Sequence, residues 1–240
     1  MIDTDKRLVI WNDKGRKKEI LNRYYESIGT VNCSKIKTVA LDGAQTYISS
    51  TNKYAVNAMI VYDRFHLIQK LNNTVDAVRK IELNKARENK DQELIDMMNC
   101  KQRFILLKSK NNLTENQASR LEELCSVNKP IFKAILLKET FLEIYSIGND
   151  NKVIDQHLED WLKEAKESNL NPFITLAEKL KEKKQYILNW FIQKTSSAIS
   201  EGFNNKIKRL KRMAYGYKDI YYFRLKIHQH CGLLNPRLAT

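Results

Sequence analysis

The chain has 240 residues, 42% of them hydrophobic and 29% charged, with only 7 Gly and 3 Pro. That length supports a real core in one large domain or two small ones, and the composition excludes an intrinsically disordered chain. The 42 Lys and Arg against 28 Asp and Glu give a formal net charge of +14, which predicts attraction to polyanions, nucleic acid before anionic membrane. No run of about 18 apolar residues is present, so no membrane span is expected. The first stretch, "MIDTDKRLVIWNDKGRKKE", has neither the apolar core nor the small-residue cleavage site of a signal peptide. Cys33, Cys100, Cys125 and Cys231 are scattered without a close pair, a poor spacing for zinc and for a disulfide framework. They read as the reduced thiols of a cytoplasmic protein.

In chain order, "RLVIW" (7–11) reads as a short strand, with Asp3 and Asp5 in a hairpin turn before it and "NDKG" as a turn after it. Ile20, Leu21, Tyr24, Tyr25 and Ile28 recur at helical spacing over 17–29, and Gly29 is placed to end that helix. "IKTVALD" (36–42) is a buried strand ending in Asp42. A short helix over 44–53 and a second strand, "AMIVY" (58–62), follow. Strand–helix–strand order implies a βαβ unit with a parallel sheet.

Beyond Asp63 only helical patterns recur, to about residue 195, broken at "KNNLTE", "NKP", "GNDN" and "NLNP". Thr114 and Gln117 have capping-box spacing, and Asn171–Pro172 reads as an N-cap followed by a first-turn proline. The pattern thus divides into an α/β portion (1–63), an all-helical insertion (64–195) and a final pair of basic helices (196–240). The fold class expected is α/β, mostly helical overall.

Four residues could carry chemistry. Asp42 and Asp63 each close a strand, and the crevice of an open α/β sheet lies outside the carboxyl ends of its strands. Each could equally cap the helix that follows. His66 stands one helical turn beyond Asp63, as a ligand or as a hydrogen-bonded core residue. Glu201 heads the stretch "SEGFNNKIKRLKRMAYGY", where helical spacing puts Glu201, Asn205, Lys208 and Arg212 on one face. Phe203, Ile207, Leu210 and Ala214 fall on the opposite face, suited to a core. From 201 to 228, eight cations (Lys206, Lys208, Arg209, Lys211, Arg212, Lys218, Arg224 and Lys226) stand against Glu201 and Asp219. This is either a solvated basic face with a Glu favoured by the helix dipole, or a surface on which DNA phosphates meet a carboxylate.

The blocks "YDRFHLIQKLNNTVDAVRK", "RFILLKSKNNLTENQASRLEEL", "NPFITLAEKL" and "SEGFNNKIKRLKRMAYGYKDIYYFRLKI" resemble the DDE transposases of bacterial insertion sequences, specifically the ISL3 group. The resemblance runs in order from about residue 7 to 231. It implies a ribonuclease-H-like core interrupted by a helical insertion before the last catalytic acid, and metal-dependent DNA cleavage and strand transfer. By motif Glu201 matches the final Glu. Asp42, in "VALDGAQTY", matches the second acid. Asp63 and His66 match an Asp-x-x-His element that accompanies the acids. The resemblance further implies Mg²⁺ or Mn²⁺ held by Asp42 and Glu201, and transposon-end DNA bound by Lys206, Lys208, Arg209, Lys211 and Arg212. As partners it implies a second copy or a full-length transposase, in the cytoplasm at the nucleoid.

Members of the group carry a first Asp on an earlier strand, behind a zinc-ribbon and helix-turn-helix region. This chain begins just after that strand, so the resemblance points to an N-terminally truncated, inactive core. The competing expectation is a non-catalytic DNA-binding or inhibitory protein derived from a transposase.

Overall fold

The structure, a computed structural model, describes residues 1–232 apart from residues 16, 100–102, 149 and 195–197. It divides into two compact units, one formed by residues 1–65 with 193 onward and the other by residues 66–192.

The first unit opens with a minimal hairpin, β1 (Ile2–Asp3) antiparallel to β2 (Leu8–Val9). The strand expected over 7–11 is therefore two residues long, and Asp3 ends β1 and does not lie in the turn. Its Oδ1 accepts the backbone N–H of Asp5 at 3.0 Å and of Lys6 at 2.9 Å, which makes it the residue that closes the turn. Helix α1 (Lys18–Cys33) is broken at Gly29, whose φ of 75° and ψ of 165° end the first helical segment as its position predicts, although one further turn follows.

Strand β3 (Thr38–Leu41), helix α2 (Gln45–Tyr54) and strand β4 (Met59–Tyr62) form the expected βαβ unit, with β3 and β4 parallel and paired from Thr38↔Met59 to Leu41↔Tyr62. One face of α1 holds this unit together. Leu21, Tyr24 and Tyr25 are buried with Ala55, Tyr25 stacks on Tyr54 with ring centroids 5.7 Å apart, and its hydroxyl lies 3.0 Å from Thr51 Oγ1.

Helix α3 (Arg64–Glu88) leads out of the first unit. The second is all helix: α4 (Gln92–Met97), α5 (Arg103–Leu107), α6 (Glu115–Val127), α7 (Lys129–Ile144), α8 (Asn151–Lys166), α9 (Asn171–Lys181) and α10 (Lys184–Gln193). The breaks obey local capping. Thr114 and Gln117 form the reciprocal box, Asn128 caps α7 ahead of Pro130, and Asp150 caps α8. Asn171 does not cap. It is the first residue of α9, and Leu170 holds the cap position with no side-chain bond. Asn169 turns the chain with φ of 60°, Ser168 Oγ accepts the Leu170 N–H at 3.1 Å, and the Leu170 carbonyl accepts the N–H groups of Phe173 at 2.8 Å and Ile174 at 3.0 Å.

The core of this unit is aromatic and aliphatic. Phe141 meets Trp161 edge-on at 4.7 Å, and the Trp161 indole donates to the Leu137 carbonyl at 2.7 Å. Two polar devices are buried with it. Lys138, 1% exposed, donates to the carbonyls of Leu106 and Lys108 at the end of α5 and pairs with Glu139. Asp76 pairs with Arg79 at 2.9 Å and Lys80 at 3.1 Å, and Arg79 also donates to the Met98 carbonyl. A cleft of about 310 Å³ between α4, α5 and α6 lies wholly in this unit and holds none of the candidate site residues.

The chain returns to the first unit as α11 (Ala198–Met213) and α12 (Ile220–Cys231). Phe203, Ile207 and Leu210 pack against Val9, Ile227 and Cys231, as the helical spacing requires. Ala214, expected on the same face, is exposed because α11 ends at Met213. Arg224 ties α12 to the segment after β2, through Asn12 Oδ1 at 3.2 Å and Asp13 at 3.3 Å. Among the described residues no helix is long and apolar enough to cross a membrane. Cys33, Cys125 and Cys231 are free thiols, and Cys100 lies outside the described residues.

Candidate active site and nucleic-acid interface

Parallel pairing puts the ends of β3 and β4 level, so Asp42 and Asp63 leave the sheet side by side at its carboxyl edge. The Asp63 N–H continues the ladder by donating to the Leu41 carbonyl at 2.8 Å. The two carboxylates then differ. Asp63 is buried, at 7% exposure, and its Oδ1 accepts the Phe65 N–H at 2.9 Å, the bond of a cap at the start of α3. Asp42 is exposed. Its Oδ1 accepts the Ala44 N–H at 3.0 Å in an Asx turn, while Ala44 itself holds the cap position of α2. Asp63 thus caps α3 directly, whereas Asp42 holds the residue at the head of α2 and leaves the cap position itself to Ala44.

Between them lies Tyr62, 2% exposed, whose ring covers Gly43. A Cβ on Gly43 would come 2.5 Å from Tyr62 Cε2, and Gly43 has φ of +78°, so both conformation and space call for glycine. Burial pushes the Tyr62 phenol well above its ordinary range, and the negative charges of Asp42 and Asp63 add to the push. The hydroxyl therefore stays protonated beside the two acids. In the sequence Tyr62 stands out only as the end of an apolar strand. His66, the third residue of α3, is half-buried.

Glu201 belongs to the same compact unit as Asp42 and lies in the first turn of α11, exposed. Among the described residues its side chain makes no hydrogen bond or ion pair, and no group of three or more His, Cys, Asp or Glu converges as a metal site.

The basic residues separate into two sets. Lys206 donates to the His230 carbonyl at the end of α12, Arg224 is bound to Asn12 and Asp13, and Lys226 bonds Gln229 at 2.8 Å. Lys208, Arg209, Lys211, Arg212 and Lys218 are exposed, and their side chains make no hydrogen bond or ion pair among the described residues. Their charge is directed at solvent, in a chain whose surface carries a large positive excess. Lys206, counted with the DNA-facing cations from sequence, thus serves first to clasp α11 to α12.

The turn joining those helices has an unusual end. Tyr215 N–H donates to Arg212 O at 3.0 Å and Gly216 N–H to Lys211 O at 2.9 Å, the paired bonds of a Schellman motif. The left-handed position in that motif is ordinarily glycine. Here it is Tyr215, with φ of 50°, a conformation that costs a non-glycine residue about 1 kcal/mol or more. Its side chain is fully exposed, at 101%.

These features describe a carboxylate-bearing α/β unit with a basic helical surface, interrupted in sequence by a helical unit. A family model described as a transposase, of the ISL3 group of DDE enzymes, matches residues 1–227. The chain belongs to that family of transposases, whose members use divalent metal ions. It is 32% identical over 228 residues to the transposase for insertion sequence element IS1001 of Bordetella parapertussis, covering 95% of this chain and 55% of that protein. It is 24% identical over 238 residues to the transposase for insertion sequence element IS1557 of Mycobacterium tuberculosis, covering 91% of this chain and 53% of that protein. The chain thus spans about half the length of these relatives. No solved structure matches it.

Proposed function

We propose that the chain is the catalytic portion of an insertion-sequence transposase, acting on DNA by phosphodiester cleavage and strand transfer. The observation that carries this reading is the placement of Asp42 at the carboxyl edge of a parallel sheet, in one compact unit with Glu201 at the head of an exposed basic helix. The level ends of β3 and β4, and the helical unit inserted before the final acid, support a ribonuclease-H-like core.

Asp42 and Glu201 offer hard carboxylate oxygens, and a donor set of two carboxylates with waters and a substrate phosphate suits Mg²⁺ or Mn²⁺. When bound, a divalent ion supplies Lewis-acid activation of an attacking hydroxyl and stabilisation of a leaving oxygen. The chain's own residues do the rest. Lys208, Arg209, Lys211 and Arg212 neutralise the DNA backbone and set its register. Asp63 fixes the start of α3 and with it the end of β4, and His66 supports that edge from the first turn of the helix. Tyr62 fills the space over Gly43 and keeps water from the sheet end between the acids.

The test is Mn²⁺ binding by electron paramagnetic resonance alongside duplex DNA binding by fluorescence anisotropy. Asp42→Asn and Glu201→Gln should each lose the ion and keep DNA affinity. Wild-type ion binding in both variants would remove the catalytic reading and leave a DNA-binding relative of transposases.

A further inference from the structure

The turn between α11 and α12 carries a surface that phosphate binding does not account for. Met213 (67% exposed), Tyr215, Tyr221 (69%) and Tyr222 (49%) stand in solvent within ten residues, among Lys211, Arg212 and Lys218. Chain packing accounts for other aromatic residues here: Tyr217 stacks on Phe223 with centroids 4.6 Å apart, and Lys226 lies over the Tyr222 ring at 5.6 Å. Among the described residues Tyr215 meets no ring. The backbone around it is fixed nonetheless, by the two Schellman bonds behind it and by Asp219, whose Oδ1 accepts the N–H of Tyr221 and Tyr222. That capping bond also directs the turn's only carboxylate at the start of α12, so the exposed charge of the turn is cationic.

A strained left-handed residue bearing a large, wholly exposed ring, where glycine would relieve the strain, points to a role for the ring outside the fold. An aromatic ring among cations suits a base that has left the duplex stack: the ring takes the face of the base and the cations take the flanking phosphates. Fully paired DNA hides its base faces and offers only phosphates and groove edges. We infer that the 213–222 turn is a stacking platform for an unpaired nucleotide of the DNA, with Tyr215 against the base and Lys211, Arg212 and Lys218 along the backbone. The inference rests on the DNA reading above and adds to it a substrate feature, an unpaired or distorted end.

The test uses the full chain with two fluorescent probes, a blunt duplex and the same duplex bearing a three-nucleotide single-stranded tail that contains 2-aminopurine. The wild type should prefer the tailed probe and quench its 2-aminopurine emission. Tyr215→Gly should keep the fold, because glycine suits the left-handed position. It should bind the blunt duplex as the wild type does, and lose about tenfold on the tailed probe together with the quenching. Tyr215→Trp should retain both. A Tyr215→Gly variant with wild-type tail preference and quenching would overturn the platform while leaving duplex binding in place. A wild type that binds neither probe would overturn the platform and the DNA reading together.

Discussion

Leu41 and Tyr62 are register partners on parallel strands, and each is followed at once by an aspartate. The pairing fixes where both carboxylates begin, and the next two residues separate their fates. Asp63 turns into a helix start and is buried. Asp42 is held out by a glycine turn beneath the Tyr62 ring.

That turn depends on Gly43. An Ala at this position meets the Tyr62 ring below contact distance and must adopt an unfavourable φ. Gly43→Ala should destabilise the first unit by about 2–4 kcal/mol. Adding Tyr62→Leu should return about 1 kcal/mol of that, a coupling a double-mutant cycle by urea denaturation would read. Strict additivity would mean that the two residues do not meet.

Duplex DNA binding should weaken steeply with salt and discriminate little between sequences. Lys208→Ala with Arg212→Ala should flatten the slope of log K against log salt by about two contacts' worth. Lys206→Ala should change the slope little, since its ammonium is held by the His230 carbonyl, and should instead lower thermal stability. Equal slope changes at Lys206 and at Lys208 would contradict this division of the basic face.

Much of this layout was legible in the sequence, and the failures are local. Period-two and 3.6-residue patterns located β3, α2, β4 and the buried face of α11, because burial of apolar side chains dictates both the pattern and the fold. Capping chemistry located Thr114–Gln117. It puts the cap of α9 one residue late at Asn171, because the helix starts from Leu170, whose side chain offers no capping group for a sequence reading to find. Asp3 reads as a turn residue because a two-residue strand leaves no periodicity to read. Tyr62 shows in the sequence only as the end of an apolar strand, because its contact with Gly43 depends on where the turn after β3 puts that glycine, and the strain at Tyr215 arises where a helix ends without a glycine in the left-handed position.

In the helical unit, Asp76 links stability to pH. Burial alone would raise this carboxyl, but its hydrogen bonds to Arg79 and Lys80, with the charge of Arg103, outweigh burial and hold it below the usual range. A depressed folded pKa contributes stability above the unfolded value of about 3.9, and that stability is lost as pH falls through the folded pKa. Thermal denaturation followed from pH 7 to pH 2 should therefore drop less steeply below pH 4 in Asp76→Asn than in the wild type. At neutral pH the variant should be weaker by about 3 kcal/mol, because Arg79 is left buried without its partner.

Lys138 tests a second buried device. Lys138→Met keeps the aliphatic volume but removes the donor to the Leu106 and Lys108 carbonyls and strands Glu139. The loss should be about 2–4 kcal/mol by chemical denaturation, with hydrogen exchange quickening around α5 first. Unchanged stability would mean that the desolvation of the ammonium had offset its bonds.

We propose that Asp42 and Glu201, some 160 residues apart in sequence, hold one divalent ion. The most direct measurement replaces that ion with Fe²⁺ and adds peroxide, so that radicals formed at the metal cut the nearby backbone. Cuts are expected close to residue 42 and close to residue 201 in the same preparation. Both should be suppressed together by excess Mg²⁺, and both should be lost in Asp42→Asn as well as in Glu201→Gln. Cutting near only one of the two, or cutting near residue 201 that survives Asp42→Asn, would contradict it.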